Sequence, residues 1–163
     1  MRLYGTTTVF DSTAGPPGSK GAVTFDRAFS QYLDGGSHTF NIASNGGFTA
    51  VAVVKFTGVV GSYESVIDFG NGDSDNNIVI YRETSTSDLN FGIWTPNAAC
   101  VVSMPSAIIQ NNWLQIVAVY TSSSKRLELR VRSATVFTTC ATTRTDWIVS
   151  NTFVAHDYWD DAW

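Results

Sequence analysis

The sequence predicts an all-β domain, and three features of its composition indicate this class. The chain contains 17 Val and 9 Ile against 6 Leu, together with 21 aromatic residues and 36 Ser and Thr. Branched and aromatic side chains fit the half-buried surface of a sheet, whereas helical proteins rely on Leu, Ala, Glu and Lys. The acidic residues are 11 Asp and only 3 Glu, and Asp favours turns because its carboxylate bonds to the nearby backbone.

The length and charge of the chain exclude several classes of protein. The 163 residues are enough for one domain with its own core, and we expect a single domain over residues 1–163. With 44% hydrophobic and 15% charged residues the chain is not a disordered one. No apolar run approaches the ~18 residues of a transmembrane helix, and no signal peptide is seen at Met1–Gly5. A net charge of −4 argues against nucleic acid as a partner.

The first third of the chain contains four predicted strands. An early strand at Leu3–Phe10 precedes a loop, and Ala22–Phe25 and Gln31–Asp34 have the pattern of a hairpin. Phe48–Phe56 is apolar on both of its alternating phases. Such a strand is typical of the middle of a sheet that is covered on both faces.

The remaining strands follow at short intervals, as a sandwich or barrel requires. Ser106–Asn111 is the one candidate for a short helical turn. The predicted strands are Tyr63–Phe69, Asn77–Arg82, Leu89–Trp94, Ala99–Met104, Trp113–Thr121, Leu127–Arg132, Val136–Cys140, Trp147–Val149 and Thr152–Ala155.

Alternation within these strands predicts which side chains face the core. Leu127, Leu129 and Val131 share one phase of a strand whose other phase is charged, so they point inward. Tyr81 and Trp94 lie on the phase opposite to a clear core stripe. In a sandwich of two sheets they are therefore expected on an outer or concave face.

The two cysteines, Cys100 and Cys140, allow a single intrachain pairing, and both fall in predicted strands. A disulfide between them would close a loop of about 41 residues and contribute roughly 3–4 kcal/mol. Two buried thiols that never meet are the alternative, since free cysteine is commonly buried.

Six stretches, taken in order, resemble the laminin G-like group of the concanavalin A-like lectin/glucanase superfamily. The resemblance implies a jelly-roll sandwich of two curved antiparallel sheets, a function in binding rather than catalysis, and a place outside the cell or on a particle surface. The stretches are Phe48–Gly58, Val66–Gly72, Ile78–Tyr81, Asp88–Ile93, Asn112–Tyr120 and Leu127–Val131.

Domains of this group usually finish with a strand that pairs near the N-terminal strand. The sequence reaches Trp163 before a strand of that pattern. We therefore expect either a truncated terminus or an altered edge, and an open edge invites pairing with another chain.

The turn that follows the predicted strand at Tyr63–Phe69 is a candidate calcium site. Asp73, Asp75 and Asn77 have the first spacing of an EF-hand loop, but Thr84 stands where that loop needs Glu, so the EF-hand interpretation fails. Laminin G-like domains often bind calcium at a rim, and the resemblance keeps Asp73 and Asp75 as candidate ligands. An ordinary β-turn is the alternative.

A catalytic pattern is missing from the sequence. Glucanases of the superfamily carry carboxylates on alternate positions of one strand, and a retaining pair needs about 5–5.5 Å. Glu64 and Asp68 are the nearest approximation; they share a phase but stand about 13 Å apart along a strand. With only His38 and His156 available as bases, a nucleophile–base pair or zinc site is not indicated either.

The favoured site is a sugar-binding surface formed by Tyr81 and Trp94, with Arg82 and Asn90 nearby in sequence. The alternative is that the second sheet covers Trp94, as we expect the core to cover Trp113. We therefore predict a non-enzymatic glycan-binding module, assisted by calcium. A structural or protein-interaction subunit of a larger assembly is the alternative function.

Overall fold

A computed structural model describes residues 2–4, 9–26, 31–36, 40–41, 46–57, 64–70, 77–83, 86–95, 98–141, 148–149 and 151–154. These residues form β-strands joined by turns, and no helix long and apolar enough to cross a bilayer occurs among them. The strands are β1 (Arg2–Tyr4), β2 (Val9–Asp11), β3 (Ala22–Thr24), β4 (Tyr32–Gly36), β5 (Phe40–Asn41), β6 (Gly47–Lys55), β7 (Glu64–Gly70), β8 (Asn77–Arg82), β9 (Leu89–Thr95), β10 (Ala98–Met104), β11 (Trp113–Thr121), β12 (Arg126–Val131), β13 (Ala134–Thr139), β14 (Ile148–Val149) and β15 (Asn151–Val154).

Two antiparallel sheets form the body of the fold. The larger has seven strands in the order β1-β4-β15-β7-β8-β9-β10, and the smaller has four in the order β13-β12-β11-β6. Two further pairs, β14 with β5 and β2 with β3, form short ribbons. The predicted all-β class is confirmed.

The core lies between the inner faces of the two sheets. Leu127 and Leu129 are fully buried and Val131 is 2% exposed, so the predicted inward phase of β12 is confirmed. From the larger sheet, Phe91 packs edge-on against Phe48 of β6, with 5.9 Å between the ring centres. Burial of each such side chain is worth about 1.5–3 kcal/mol, which makes this layer the main source of stability.

A disulfide between Cys100 and Cys140 links the two sheets at one end of the sandwich. Cys100 lies on β10, the edge strand of the larger sheet, and Cys140 follows β13, the edge strand of the smaller one. Their Cα atoms are 5.5 Å apart, and the backbone amide of Cys140 donates to the carbonyl of Lys125 at 2.9 Å. Of the two alternatives for the cysteines, the structure has the bonded one.

The strand predicted at Phe48–Phe56 forms, but its expected position is wrong. Among the described strands, β6 lies at the edge of the smaller sheet rather than in its middle, and only its inner face packs against the core. On its outer face Val51 is 58% exposed and Val53 is 48% exposed. Apolar residues on both phases predict a strand in the middle of a sheet. They do not identify the neighbouring strands, which can belong to the same chain or to another one.

Two smaller predictions are also corrected. The expected hairpin between the strands at 22–25 and 31–34 is absent, because β3 pairs with β2 while β4 pairs with β1 and β15. The segment at 106–111 forms turns and no helix, and Ser106 and Asn111 at its two ends have positive φ angles.

Replacing both cysteines by serine should lower the free energy of unfolding by about 3–4 kcal/mol, because the open chain regains the freedom of a loop of about 41 residues. Denaturant unfolding of the Cys100→Ser/Cys140→Ser variant against the oxidised parent measures this. Reduction of the parent should produce the same loss. An unchanged midpoint in both cases would contradict a structural role for the bridge.

Candidate functional site

Tyr81 and Trp94 meet on the outer face of the larger sheet, the face turned away from the core. Tyr81 lies opposite Asn90, and Trp94 lies opposite Asn77 across the β8–β9 pair. Residues opposite each other share a face, while the neighbouring Ile80 and Ile93 belong to the core. The two rings are 5.6 Å apart at an angle of 55°, and both side chains are half-buried. The second sheet therefore does not cover Trp94.

Gly92 allows the indole of Trp94 to lie against the sheet. A Cβ atom built on Gly92 would stand 2.1 Å from Cη2 of the indole and 2.3 Å from Cζ3, closer than any real contact. The indole thus lies directly over the backbone of Gly92, and next to it stands Tyr81. Only glycine lets the indole come this close to the backbone, so Gly92 belongs to the site. Nothing in the sequence around Gly92 marks it as a site residue.

Asn90 places a polar group beneath the aromatic pair. Its side chain is 2% exposed, and its Oδ1 accepts a hydrogen bond of 2.5 Å from the Oγ of Ser103. Its Nδ2 has no hydrogen-bond partner among the described residues. A buried donor of this kind normally bonds to a ligand or an ordered water. Ser103, directly opposite Asn90 on β10, is exposed and so reaches solvent.

A second polar group on the same face includes Asp68 and Asn77, both fully buried. A Cβ atom on Gly70 would stand 2.1 Å from Oδ1 of Asn77 and 3.2 Å from Oδ1 of Asp68. The amide and the carboxylate therefore converge over Gly70, next to the strand position of Trp94. Their complete burial indicates that they order this part of the sheet rather than contact solvent.

The structure does not bring Arg82 to this surface. Arg82 lies opposite Leu89 on the inner phase, is 3% exposed, and forms an ion pair of 2.5 Å with Glu64. Its guanidinium carbon lies 5.1 Å from the ring centre of Phe56. The alternation of β8, which groups Arg82 with Ile78 and Ile80, is the sequence signal for this placement.

A β-bulge in β7 separates two carboxylates that the sequence puts on one phase. Glu64 lies opposite Arg82 and Asp68 opposite Val79, with a register shift between Ser65 and Ile67. Glu64 and Asp68 consequently face opposite sides of the sheet. The expectation that they share a phase is wrong, because the extra residue of a bulge inverts the alternation.

The remaining candidate residues lie elsewhere. Asp73 and Asp75, and both histidines, fall outside the described residues. Within the described part of the chain, no group of three or more His, Cys, Asp and Glu could hold a metal ion. Glu128 forms ion pairs with Arg126 and Arg130 on the smaller sheet.

Substituting Gly92 by alanine should displace the indole of Trp94, because the new methyl group would overlap the ring. We expect a red shift of the tryptophan emission as the indole becomes more exposed. The matched control is the same substitution in a Trp94→Phe background, where no shift should remain. An equal shift in both backgrounds would mean that another tryptophan responds and that Gly92 does not support Trp94.

No protein-family model and no curated protein matches this sequence. Solved structures are similar to it, however. One is the CBM40 of the Ruminococcus gnavus IT-sialidase bound to α2,3-sialyllactose, with a TM-score of 0.60, 12% identity and 78% of each chain covered. Another is the enzymatically active domain of tailspike protein 2 from bacteriophage CBA120, with a TM-score of 0.67 and 13% identity; the match covers 93% of this chain and 25% of the tailspike chain.

Domains LG4-5 of the mouse laminin α1 chain are also similar, with a TM-score of 0.50 and 13% identity over 85% of this chain and 37% of that one. At these identities the likeness establishes the fold alone. The chain has the concanavalin A-like jelly-roll sandwich that its resemblance to laminin G-like domains implies.

Proposed function

We propose that this domain is a non-enzymatic glycan-binding module that holds its ligand against Tyr81 and Trp94. The observation that carries the proposal is the aromatic pair on the outer face, with Trp94 lying over Gly92. The π face of an aromatic ring is negative and attracts the weakly positive C–H groups of a sugar ring. An indole fixed against the sheet offers such a face at little entropic cost, because its rotamer is already restricted.

Polar groups beside the pair match the hydroxyls of a sugar. The exposed hydroxyl of Ser103 donates its proton to the Oδ1 of Asn90, and its oxygen can accept a hydrogen bond from a sugar hydroxyl. Asn90 itself is buried and holds this hydroxyl in place. Binding sites of this kind combine apolar contact with a few placed polar groups that fix the orientation of the ligand. Arg82 is left out of the proposed contacts because its guanidinium pairs with Glu64 on the inner side.

The comparisons support a carbohydrate ligand at a coarse level. The similar Ruminococcus gnavus structure is a carbohydrate-binding module bound to a sialylated lactose. The tailspike match shares the fold within a much longer chain. We therefore propose a glycan as the class of ligand and leave the sugar to experiment.

We also propose that calcium assists binding through Asp73 and Asp75. Calcium takes six to eight oxygen ligands, and carboxylates in a turn between strands are suitable donors. These residues precede Asn77, and Asn77 lies opposite Trp94 across β8 and β9. Asp75 and Asp73 stand two and four residues along the chain from Asn77, the residue opposite Trp94.

A structural or protein-interaction subunit is the second candidate function. The observation that favours it is the edge of β6, which has a strand partner on one side only in the described part of the chain and carries the exposed Val51 and Val53.

A glycan array screened with the purified domain tests the main proposal. We expect reproducible binding to a defined set of glycans and a loss of affinity of at least about tenfold for Trp94→Ala, equivalent to about 1.4 kcal/mol. Phe137→Ala is the matched control, because Phe137 is an exposed aromatic residue of the other sheet. A folded domain that binds no glycan, or equal losses in both variants, would contradict the proposal.

The calcium proposal has a separate test. Affinity for a glycan found on the array should fall in the presence of a chelator and return when calcium is restored. Asp73→Asn/Asp75→Asn should remove the response to the chelator, while Asp34→Asn, a carboxylate of β4, should keep it. Chelator-independent binding would leave the glycan proposal intact and refute the role of calcium.

A further inference from the structure

Among the strands that the structure describes, β6 forms a long sheet edge without the usual protection. It is nine residues long, contains no proline, and carries one charge, Lys55, at its end. Among the described residues β6 pairs with β11 alone, so its other side has no strand partner there. Natural edge strands are normally short, bulged, proline-containing or charged, because an open edge can pair with another chain.

The side chains of β6 are those of a covered strand. Val51 is 58% exposed and Val53 is 48% exposed. Val117 and Val119 of β11 lie beside them on the same outer face. A strand with apolar residues on both phases is typical of the middle of a sheet. A further strand at the open edge would place β6 inside a sheet and would set the outward side chains of that strand beside Val51 and Val53.

Within the described ranges, the backbone groups of β6 that pair with no strand lie at these same residues. The amide of Ser122 donates to the carbonyl of Gly46 at 3.0 Å, which fixes the phase of the β11–β6 ladder. Bonded and non-bonded pairs alternate in an antiparallel ladder. In β6, the even-numbered residues therefore form the backbone hydrogen bonds to β11. The odd-numbered residues from Gly47 to Lys55 direct their N–H and C=O groups away from β11, toward the open edge.

We propose that a second copy of this chain pairs with β6 in antiparallel orientation, around a two-fold axis at Val51. Val51 then lies opposite the partner's Val51, and Thr49 lies opposite the partner's Val53. This register overlaps all nine residues of both strands and pairs odd positions with odd positions, as the directions of the backbone groups require. The two four-stranded sheets become one sheet of eight strands.

The single charge on β6 is compatible with a second copy as the partner and favours the antiparallel orientation. In the antiparallel pair the two Lys55 side chains stand at opposite ends of the seam, about 27 Å apart for eight steps along a strand. Each faces Gly47 of the other copy, which has no side chain to obstruct it. A parallel pair would place the two ammonium groups side by side.

Sedimentation of the full chain over a range of concentrations tests for the dimer. We expect a concentration-dependent dimer for the parent and at least tenfold weaker association for Val51→Lys, because two ammonium groups would meet at the axis. Phe137→Lys is the matched control: it removes an equally exposed apolar side chain from the same outer face, at the opposite edge of the sheet. A parent that stays monomeric, or equal weakening by both variants, would overturn the proposal.

Engineered cysteines test the register. At a bonded antiparallel pair the Cα atoms are about 5.5 Å apart, within the range of a disulfide. Both native cysteines are already bonded to each other, so a new cysteine is the free thiol among the described residues. Val51→Cys should give a covalent dimer on mild oxidation, while Val53→Cys should not, because its counterpart is offset by four residues, about 13 Å.

Equal crosslinking of Val51→Cys and Val53→Cys, or crosslinking of neither, would refute the two-fold axis at Val51. Trp94→Ala should leave sedimentation unchanged, because Trp94 lies on the other sheet. The dimer and the glycan site can therefore fail independently.

Discussion

Packing between the inner faces of the two sheets is the constraint on which the rest of the molecule depends. Phe91 from one sheet and Leu127 and Leu129 from the other are completely buried, and the strands that carry them must keep one phase turned inward. Once that phase is set, every alternate residue is turned outward, since side chains alternate along a strand. This alternation puts Tyr81 and Trp94 on the outer face of the larger sheet. It also puts the charged Arg82 on the inner face, where Arg82 pairs with Glu64.

The two outer faces that result differ in chemistry. The larger sheet presents an aromatic pair with amide and hydroxyl groups beside it, a combination suited to a small polar ligand with apolar C–H faces. The smaller sheet presents valines at one edge, and at the other edge the exposed Phe137, whose ring centre lies 3.9 Å from the guanidinium carbon of Arg126. The proposed ligand would bind the outer face of the larger sheet and the proposed partner the β6 edge of the smaller sheet, so the two would not compete.

Local periodicity was enough to predict the class of fold, the positions of most strands and the outward direction of Tyr81 and Trp94. It did not predict features that depend on residues far apart in the sequence. Alternation predicts which phase is covered but not the order of strands, so β6 was expected in the middle of its sheet. Alternation also does not predict a β-bulge, so it placed Glu64 and Asp68 on the same face of the sheet. Gly92 was missed because close approach of an indole to a backbone leaves no pattern in the sequence.

The disulfide also determines how the domain would respond to mechanical tension along its chain. All of β11, β12 and β13 lies between Cys100 and Cys140, inside the covalent loop. When the two ends of the chain are pulled apart, the disulfide bond carries the force between Cys100 and Cys140. The strands inside the loop carry none of it, so force alone cannot extend them. About 140 Å of chain, at 3.5 Å for each of 40 residues, is withheld from extension. That reserve is released only when a reductant reaches the bridge.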